Sequence, residues 1–136
     1  MADKVSIARA VMEGFAARDL DRLVALCAPD AEFRTRVDVT GDPDFRGPDG
    51  VREWLAAVDD RFDLYEVTDA EYRAGEGDAV AVSCTLRLRF AGDRYGMARA
   101  AHWVFRVDES RECVTAFTSY RDRADALAAA GISGGA

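Results

Sequence analysis

The sequence predicts an α+β fold, and three observations predict it. Apolar residues recur at helical spacing in the first part of the chain, they alternate with period two through most of the second half, and the later runs are separated by short turn signals. The resulting order is helices, one strand, a helix, then hairpin-linked strands. A doubly wound parallel sheet is excluded, because it needs a helix after nearly every strand.

Ala8, Val11, Met12, Phe15 and Ala16 fall at helical spacing with Arg9, Glu13 and Arg18 outside the stripe, so the first element is an amphipathic helix. Asp19 is a good N-cap for a second helix carrying Leu20, Leu23, Val24 and Cys27, which a Pro29-Asp30 turn closes. From Ala31 to Val39 the alternation is strict. Ala31, Phe33, Thr35, Val37 and Val39 share one face and Glu32, Arg34, Arg36 and Asp38 the other, the pattern of a half-buried strand with a solvated outer side.

Gly41-Asp42-Pro43-Asp44 makes a loop, and after Phe45-Arg46-Gly47 the pair Pro48-Asp49 opens a third helix. Its buried stripe is Val51, Trp54, Leu55, Val58 and Phe62. Residues 64–72 read as a strand with imperfect alternation, ended by Gly75-Glu76-Gly77-Asp78. Val80, Val82, Cys84, Leu86, Leu88 and Phe90 form one face of a long strand, and Gly92-Asp93 turns it into another from about Arg94 to Val107. Cys113 to Tyr120 is the last strand. Asp122 can cap a terminal helix through Ala126, Leu127 and Ala130, with Gly131 as its stop and Gly134-Gly135-Ala136 as a flexible end.

The 136 residues are one domain's worth, with a core over about 7–132, and 49% hydrophobic with 32% charged residues is an ordinary globular composition. The formal net charge of −7, with arginines interleaved among acids, argues against nucleic acid and anionic membrane as partners. Cys27, Cys84 and Cys113 are odd in number and widely spaced, reading neither as a disulfide framework nor as a zinc site, and they suit a reduced cytoplasm. The N-terminus shows no apolar signal region and no stretch is long enough to span a bilayer. No phosphate loop, Ser-His-Asp set or clustered metal ligands are visible, so neither cofactor nor metal is expected.

Three stretches carry a family resemblance. They are Phe15-Ala16-Ala17-Arg18-Asp19-Leu20-Asp21-Arg22-Leu23 followed by Pro29-Asp30-Ala31-Glu32-Phe33; Phe45-Arg46-Gly47-Pro48-Asp49-Gly50-Val51; and His102-Trp103-Val104-Phe105-Arg106 leading to Ser119-Tyr120-Arg121-Asp122 and Ala130-Gly131-Ile132. In order and spacing these resemble a SnoaL-like protein of the nuclear transport factor 2-like superfamily, from about Ile7 to Ile132. The resemblance implies a cystatin-like conical roll: a curved, mixed, mostly antiparallel sheet packed on three helices from the N-terminal half around an apolar pocket, frequently as a homodimer. It implies far less about chemistry, because the superfold hosts isomerases, polyketide cyclases, epoxide hydrolases and non-catalytic binders.

The chemistries known on this fold match poorly. The ketosteroid isomerase arrangement, a tyrosine, a basic aspartate and a protonated aspartate, falls on Val11, Thr35 and Trp103 when the Asp-Leu-Asp turn and the Phe105-Arg106 pair are aligned. The late-strand carboxylate of the SnoaL cyclases also falls on Trp103. An epoxide hydrolase relay would need an inward aspartate, yet Asp38 lies on the charged side of its strand.

Phase singles out two polar residues. Tyr95, Met97, Arg99, Ala101, Trp103 and Phe105 share one face, placing a guanidinium among pocket residues, where it would want a carboxylate, a carbonyl or an anionic ligand. The alternative is a bulge that turns Arg99 out to water. Val114, Ala116, Thr118 and Tyr120 alternate on the face expected to line the pocket, so Tyr120 is either a catalytic phenol or a packed residue with one satisfied hydrogen bond. His102, the one histidine, falls on the convex side with Ala98, Ala100 and Val104, which favours a structural or interface role over acid–base work.

That convex face also carries Ala79, Ala81, Ser83 and Thr85 on one strand and Thr115, Phe117 and Ser119 on another, too apolar for a solvated sheet surface. It predicts a two-fold homodimer through the face. The function these readings support is binding of a small hydrophobic or aromatic ligand, with isomerase, cyclase or lyase chemistry on an apolar oxygenated compound. Val11, Phe15, Phe33, Thr35, Trp54, Val58, Cys84, Leu86 and Trp103 would form the pocket walls, and Arg99 and Tyr120 are the candidate catalytic groups. The competing reading is a structural or interaction module whose cavity is filled by its own side chains, and pocket volume separates the two.

Overall fold

The computed structural model describes residues 2–36 and 41–133. The described elements are α1 (Lys4–Ala16), α2 (Leu20–Ala25), β1 (Cys27–Arg34), β2 (Phe45–Arg46), α3 (Gly47–Arg61), β3 (Phe62–Ala74), β4 (Ala79–Phe90), β5 (Met97–Asp108), β6 (Cys113–Tyr120) and α4 (Arg123–Ala129). The strands form one curved mixed sheet in the order β2-β1-β6-β5-β4-β3. Among the described strands only β1 and β6 run parallel; the other neighbours are antiparallel, as the predicted fold class requires. No described helix is long and apolar enough to cross a membrane.

The first two helices start where their caps place them, whereas Asp122, expected to cap the last, stands at its N-cap without a side-chain hydrogen bond. Asp3 accepts from Ser6 N at 2.8 Å and Asp19 from Arg22 N at 3.2 Å. Gly47 begins α3 at φ 62°, and a Cβ there would stand 2.6 Å from the carbonyl oxygen of Pro29, so only glycine lets α3 pack this closely on β1. Ile7, Leu23, Val51 and Leu55 from the helices meet Phe33, Val80, Val82, Trp103, Phe105 and Phe117 from the sheet's inner face in one buried core.

On the outer face α4 lays Ala126, Leu127 and Ala130 against Ala79, Ala81 and Val104. Gly131 closes α4 at φ 72°, with Gly131 N donating to Ala128 O and Ile132 N to Leu127 O, the Schellman pattern. Arg106 fastens the helix by donating to Ala129 O at 2.9 Å while pairing with Asp78 at 3.1 Å.

The β4–β5 ladder runs without a shift from Ala79↔Arg106 to Leu88↔Met97, so the predicted faces of both strands hold. Cys27 and Phe62, expected on the second and third helices, lie in β1 and β3, so the first strand begins at Cys27 rather than Ala31, and three further expectations fail. Pro29 and Asp30 do not make a turn; they lie within β1, whose parallel register with β6 shifts between Cys27 and Glu32, the irregularity a strand proline requires. The fifth strand starts at Met97 rather than near Arg94.

The third failure reverses a face. β5 and β6 pair Val107 with Val114 but Arg106 with Ala116, so Thr115 is an extra residue on β6 and the alternation inverts beyond it. Phe117 and Ser119 thereby turn inward, opposite Phe105 and Trp103, while Tyr120 stands opposite His102. The expected continuation of the first strand through residues 37–39, with Asp38, and the expected tail at residues 134–136 lie outside the described residues.

Candidate functional site

Between helices and sheet the interior is nearly full. Trp54 of α3 sits at the centre of an aromatic cluster, with ring centroids 5.0 Å from Phe117, 5.5 Å from Phe15 and 5.7 Å from Phe33. A cavity of about 40 Å³ remains, bordered by Val11, Phe15, Phe33, Trp54, Trp103 and Phe117 among others, all apolar at their contact. It is far below the ~300 to 1,000 Å³ of ligand sites and offers water almost no hydrogen-bond partners.

The sheet's mouth is different. A cleft of about 950 Å³ opens there, bordered by Trp54, Val58, Phe62, Leu86, Trp103 and Phe117 on its apolar side and by Thr35, Asp44, Arg61, Tyr65, Arg99 and Ser119 on its polar side. Trp54, Tyr65, Trp103 and Phe117 border both spaces, separating the packed interior from the cleft.

Local structure positions the backbone of each polar residue and ties down the side chains of Thr35 and Asp44. Asp44 Oδ2 accepts from Thr35 N at 3.0 Å and Thr35 Oγ1 at 2.5 Å, and Asp44 N donates to Phe33 O, which ties the loop before β2 to the end of β1. Arg61 is the last residue of α3, and its carbonyl accepts from Ala91 N at 2.8 Å. Tyr65 of β3 stands opposite Leu88, and Arg99 of β5 opposite Leu86, so the two approach the cleft from either side of β4. Burial raises the Tyr65 phenol above its ordinary pKa, with the nearby Arg99 charge opposing that shift, so the phenol is a proton donor at neutral pH. The cleft therefore holds a carboxylate that can accept a proton, a phenol that can donate one, and guanidinium groups that can polarise a carbonyl or hold an anion. Among the described residues no group of three or more His, Cys, Asp or Glu side chains is placed to hold a metal ion.

The sequence-predicted residues divide. Val11, Phe15 and Phe33 border the small inner cavity; Thr35, Val58, Leu86 and Arg99 border the cleft; Trp54 and Trp103 border both. Cys84 borders neither and is a buried thiol pushed up to about 11 by desolvation. Tyr120 is the main correction. The Thr115 bulge puts it on the outer face with the α4 cluster, and it meets the cleft at an edge rather than facing into it.

That edge has a simple cause. β6 ends at Tyr120 opposite His102, so among the described residues nothing pairs with the β6-facing edge of residues 97–101, and the cleft wraps over it. His102 is on the outer face of β5, its Nδ1 3.1 Å from Ser83 Oγ, and with Ala100 and Tyr120 it also borders the cleft where the cleft wraps over that edge. Burial lowers its pKa, Arg123 adds to that and Asp122 opposes it.

Six of the cleft residues named above escaped the sequence reading: Asp44, Arg61, Phe62, Tyr65, Phe117 and Ser119. Asp44 looked like a loop residue, Phe62 was placed on the third helix, Tyr65 lay in a strand without clear phase, Phe117 and Ser119 were assigned to the wrong face by unbroken alternation, and Arg61 was not singled out. The one available signal was the loop's Asp44 two residues before the Arg46-Gly47 motif that opens α3.

The family model of the SnoaL-like domain matches residues 8–113. No curated protein matches the chain in sequence. Solved structures match in fold: a candidate polyketide cyclase from Xanthomonas campestris pv. campestris is 16% identical with a TM-score of 0.73, covering 92% of this chain and 94% of that one. A protein of ketosteroid isomerase-like fold from Catenulispora acidiphila, in complex with trimethylamine, is 20% identical with a TM-score of 0.70 over 93% and 92% of the two chains. TerC, co-crystallised with polyporic acid, is 18% identical with a TM-score of 0.71 over 90% and 93%. With the family model covering most of the chain and the conical sheet on the page, this protein belongs to the SnoaL-like domain family of the nuclear transport factor 2-like fold.

Proposed function

We propose that this protein binds a small, largely apolar oxygenated molecule in the open cleft and acts on it without a cofactor, by proton transfer of the isomerase, cyclase or lyase type. The carrying observation is the cleft itself: about 950 Å³, within the range of ligand sites, with an aromatic floor and with Asp44, Tyr65 and Arg99 on its walls. In this reading the ligand's ring lies against Trp54 and Trp103, Arg99 polarises its carbonyl, Tyr65 donates a proton and Asp44 accepts one. Tyr120, at the cleft's edge, contributes contact rather than chemistry. The family supports the binding part of the reading, and TerC, of the same fold, was co-crystallised with an organic molecule, polyporic acid.

The same proposal includes a homodimer through the part of the outer face that α4 leaves uncovered, around Thr85, Ala98, Ala100, His102 and Thr118. Ala98 and Ala100 are exposed there, and small residues suit contact between sheets.

A thermal-shift screen of aromatic ketones, quinones and phenols on the wild type, Arg99→Ala and Tyr65→Phe tests the site. Hits should stabilise the wild type and lose much of that effect in Arg99→Ala. Hits that stabilise all three proteins equally would refute the placement of the ligand in this cleft.

A further inference from the structure

We infer that Thr35 is the positioning residue of the site: it grips one oxygen of Asp44 twice, so that the other, Oδ1, is the atom that takes a proton from a ligand lying on Trp54. This rests on Asp44 being the proton acceptor of the cleft, as proposed above, and adds which of its oxygens works and what holds it.

Asp44 is the one carboxylate among the described residues that border the cleft, and Thr35 borders it too. The Thr35 backbone N–H donates to Asp44 Oδ2 at 3.0 Å, and the Thr35 hydroxyl donates to the same oxygen at 2.5 Å, the short distance of an O–H bond to an ionised carboxylate. Two donors use both lone-pair directions of Oδ2. Among the described residues Oδ1 accepts no hydrogen bond and keeps its lone pairs for a ligand.

The backbone beneath the carboxylate is held as well. Asp44 N donates to Phe33 O at 2.9 Å, and Phe45, the next residue, stands opposite Phe33 in the β1–β2 pair. The Phe45 ring stacks on Trp54 of the cleft's floor, with centroids 6.5 Å apart and planes 17° from parallel. Gly50 lets α3 close on Phe45, since a Cβ there would stand 3.0 Å from Phe45 Cβ and 3.1 Å from its carbonyl carbon, and Trp54 follows one turn later. Asp44 is therefore one residue from a ring that lies against the floor, and its carboxylate cannot turn without breaking bonds to Thr35.

Other aspartates show the structural use of the same bonds. Asp108 spends both oxygens on Ser110 and Arg111 at an exposed turn. Asp3 and Asp19 cap helices and leave an oxygen free, but both are exposed and neither borders the cleft. Asp44 joins a grip on one oxygen to a place on the wall of a concave, aromatic-floored space, which is the arrangement of a preorganised base.

The test uses 5-nitrobenzisoxazole, a flat aromatic probe that opens when a base removes its C3 proton. The electrons of the C–H bond complete the nitrile, the N–O bond breaks, and its pair leaves on the phenolate oxygen, whose absorbance gives the rate; the proton passes from Asp44 to water. The wild type should show saturable turnover at least about a hundredfold above acetate at the same carboxylate concentration, and Asp44→Asn should remove it. Thr35→Val keeps the backbone N–H and the side-chain shape without the hydroxyl. It should lower kcat by about ten- to a hundredfold with KM within about twofold, and Thr35→Ser should return kcat to within about threefold of wild type. Asp44→Glu keeps the charge but displaces the carboxylate from Thr35, and should fall as Thr35→Val does; should Thr35→Val not fold, Asp44→Glu decides.

Turnover lost in Asp44→Asn but unchanged in Thr35→Val or Asp44→Glu, a change in KM alone, or a fall that Thr35→Ser does not restore would overturn the positioning role and leave Asp44 as the base. Turnover that survives Asp44→Asn, or no saturable turnover in the wild type, would overturn the proton-accepting role and this inference together.

Discussion

Phe117→Ala is the substitution on which the geometry of the site can be judged. The ring is 2% exposed, with centroids 5.0 Å from Trp54, 5.1 Å from Phe105 and 5.5 Å from Trp103. Truncating a buried phenylalanine costs about 3 to 5 kcal/mol, from lost transfer energy and the void left behind. Here the void would merge with the existing cavity of about 40 Å³, whose aromatic walls already fail to close it. That places the expected loss near the upper end, roughly 4 kcal/mol, against a typical total stability of about 5 to 15 kcal/mol.

The assay is urea unfolding followed by tryptophan fluorescence, which reports on Trp54 and Trp103 directly. The midpoint should fall with little change in slope. Thr118→Ala is the internal control: Thr118 is the next residue along, on the outer face, and should cost less than about 1 kcal/mol. Unbroken alternation along β6 would reverse the two, with Thr118 inward and Phe117 out. A Phe117→Ala loss below about 1.5 kcal/mol, or one smaller than that of Thr118→Ala, would refute the bulge at Thr115 and with it the lining of the cleft.

Gly47→Ala should destabilise by at least about 2 kcal/mol, since it combines a positive φ with a Cβ 2.6 Å from the Pro29 carbonyl oxygen; the same denaturant assay reads it, and a loss within error would contradict the close approach of α3 to β1. His102, the single histidine, should titrate below 6.5 by NMR, because burial and Arg123 favour its neutral form over the opposing Asp122. The linked stability is present above the unfolded pKa near 6.5 and is lost as pH falls through the lower folded value, so the wild type should weaken more steeply than His102→Gln on acidification; an elevated pKa would reverse the sign. Sedimentation should show a dimer at micromolar concentration that Ala100→Glu converts to monomer without loss of helix or strand signal; a wild-type monomer would remove the proposed interface.

Most of the fold was legible because its signals are local and repeated. The helices carry apolar stripes and caps such as Asp19, and the β4–β5 pair has ten successive register partners without a shift, so a two-residue period read from the sequence survives into the structure. The losses occur where one residue changes the count. Through Val114, Thr115, Ala116, Phe117, Thr118, Ser119 and Tyr120 either face offers apolar and hydroxyl side chains, so nothing local betrays the bulge, and the partner strand decides it. In β3 a similar shift between Thr68 and Glu71, where Asp69 adopts φ 55°, blurred the alternation that would have marked Tyr65 as inward.

The candidate site was less legible than the fold for the same reason, carried one step further. Its floor comes from residues whose burial the pattern announces, Trp54, Val58, Leu86 and Trp103, but its polar groups come from the ends of elements: Thr35 past the end of β1, Asp44 just before β2, Arg61 at the last turn of α3, Arg99 on a stretch of β5 beyond the reach of β6. Such positions lack periodic constraint, and their convergence is created by where β6 stops. Extending β6 by about five residues past Tyr120 would pair residues 97–101 and close the space on that side, so the length of one strand, more than any single side chain, makes an open cleft from what is otherwise a filled cone.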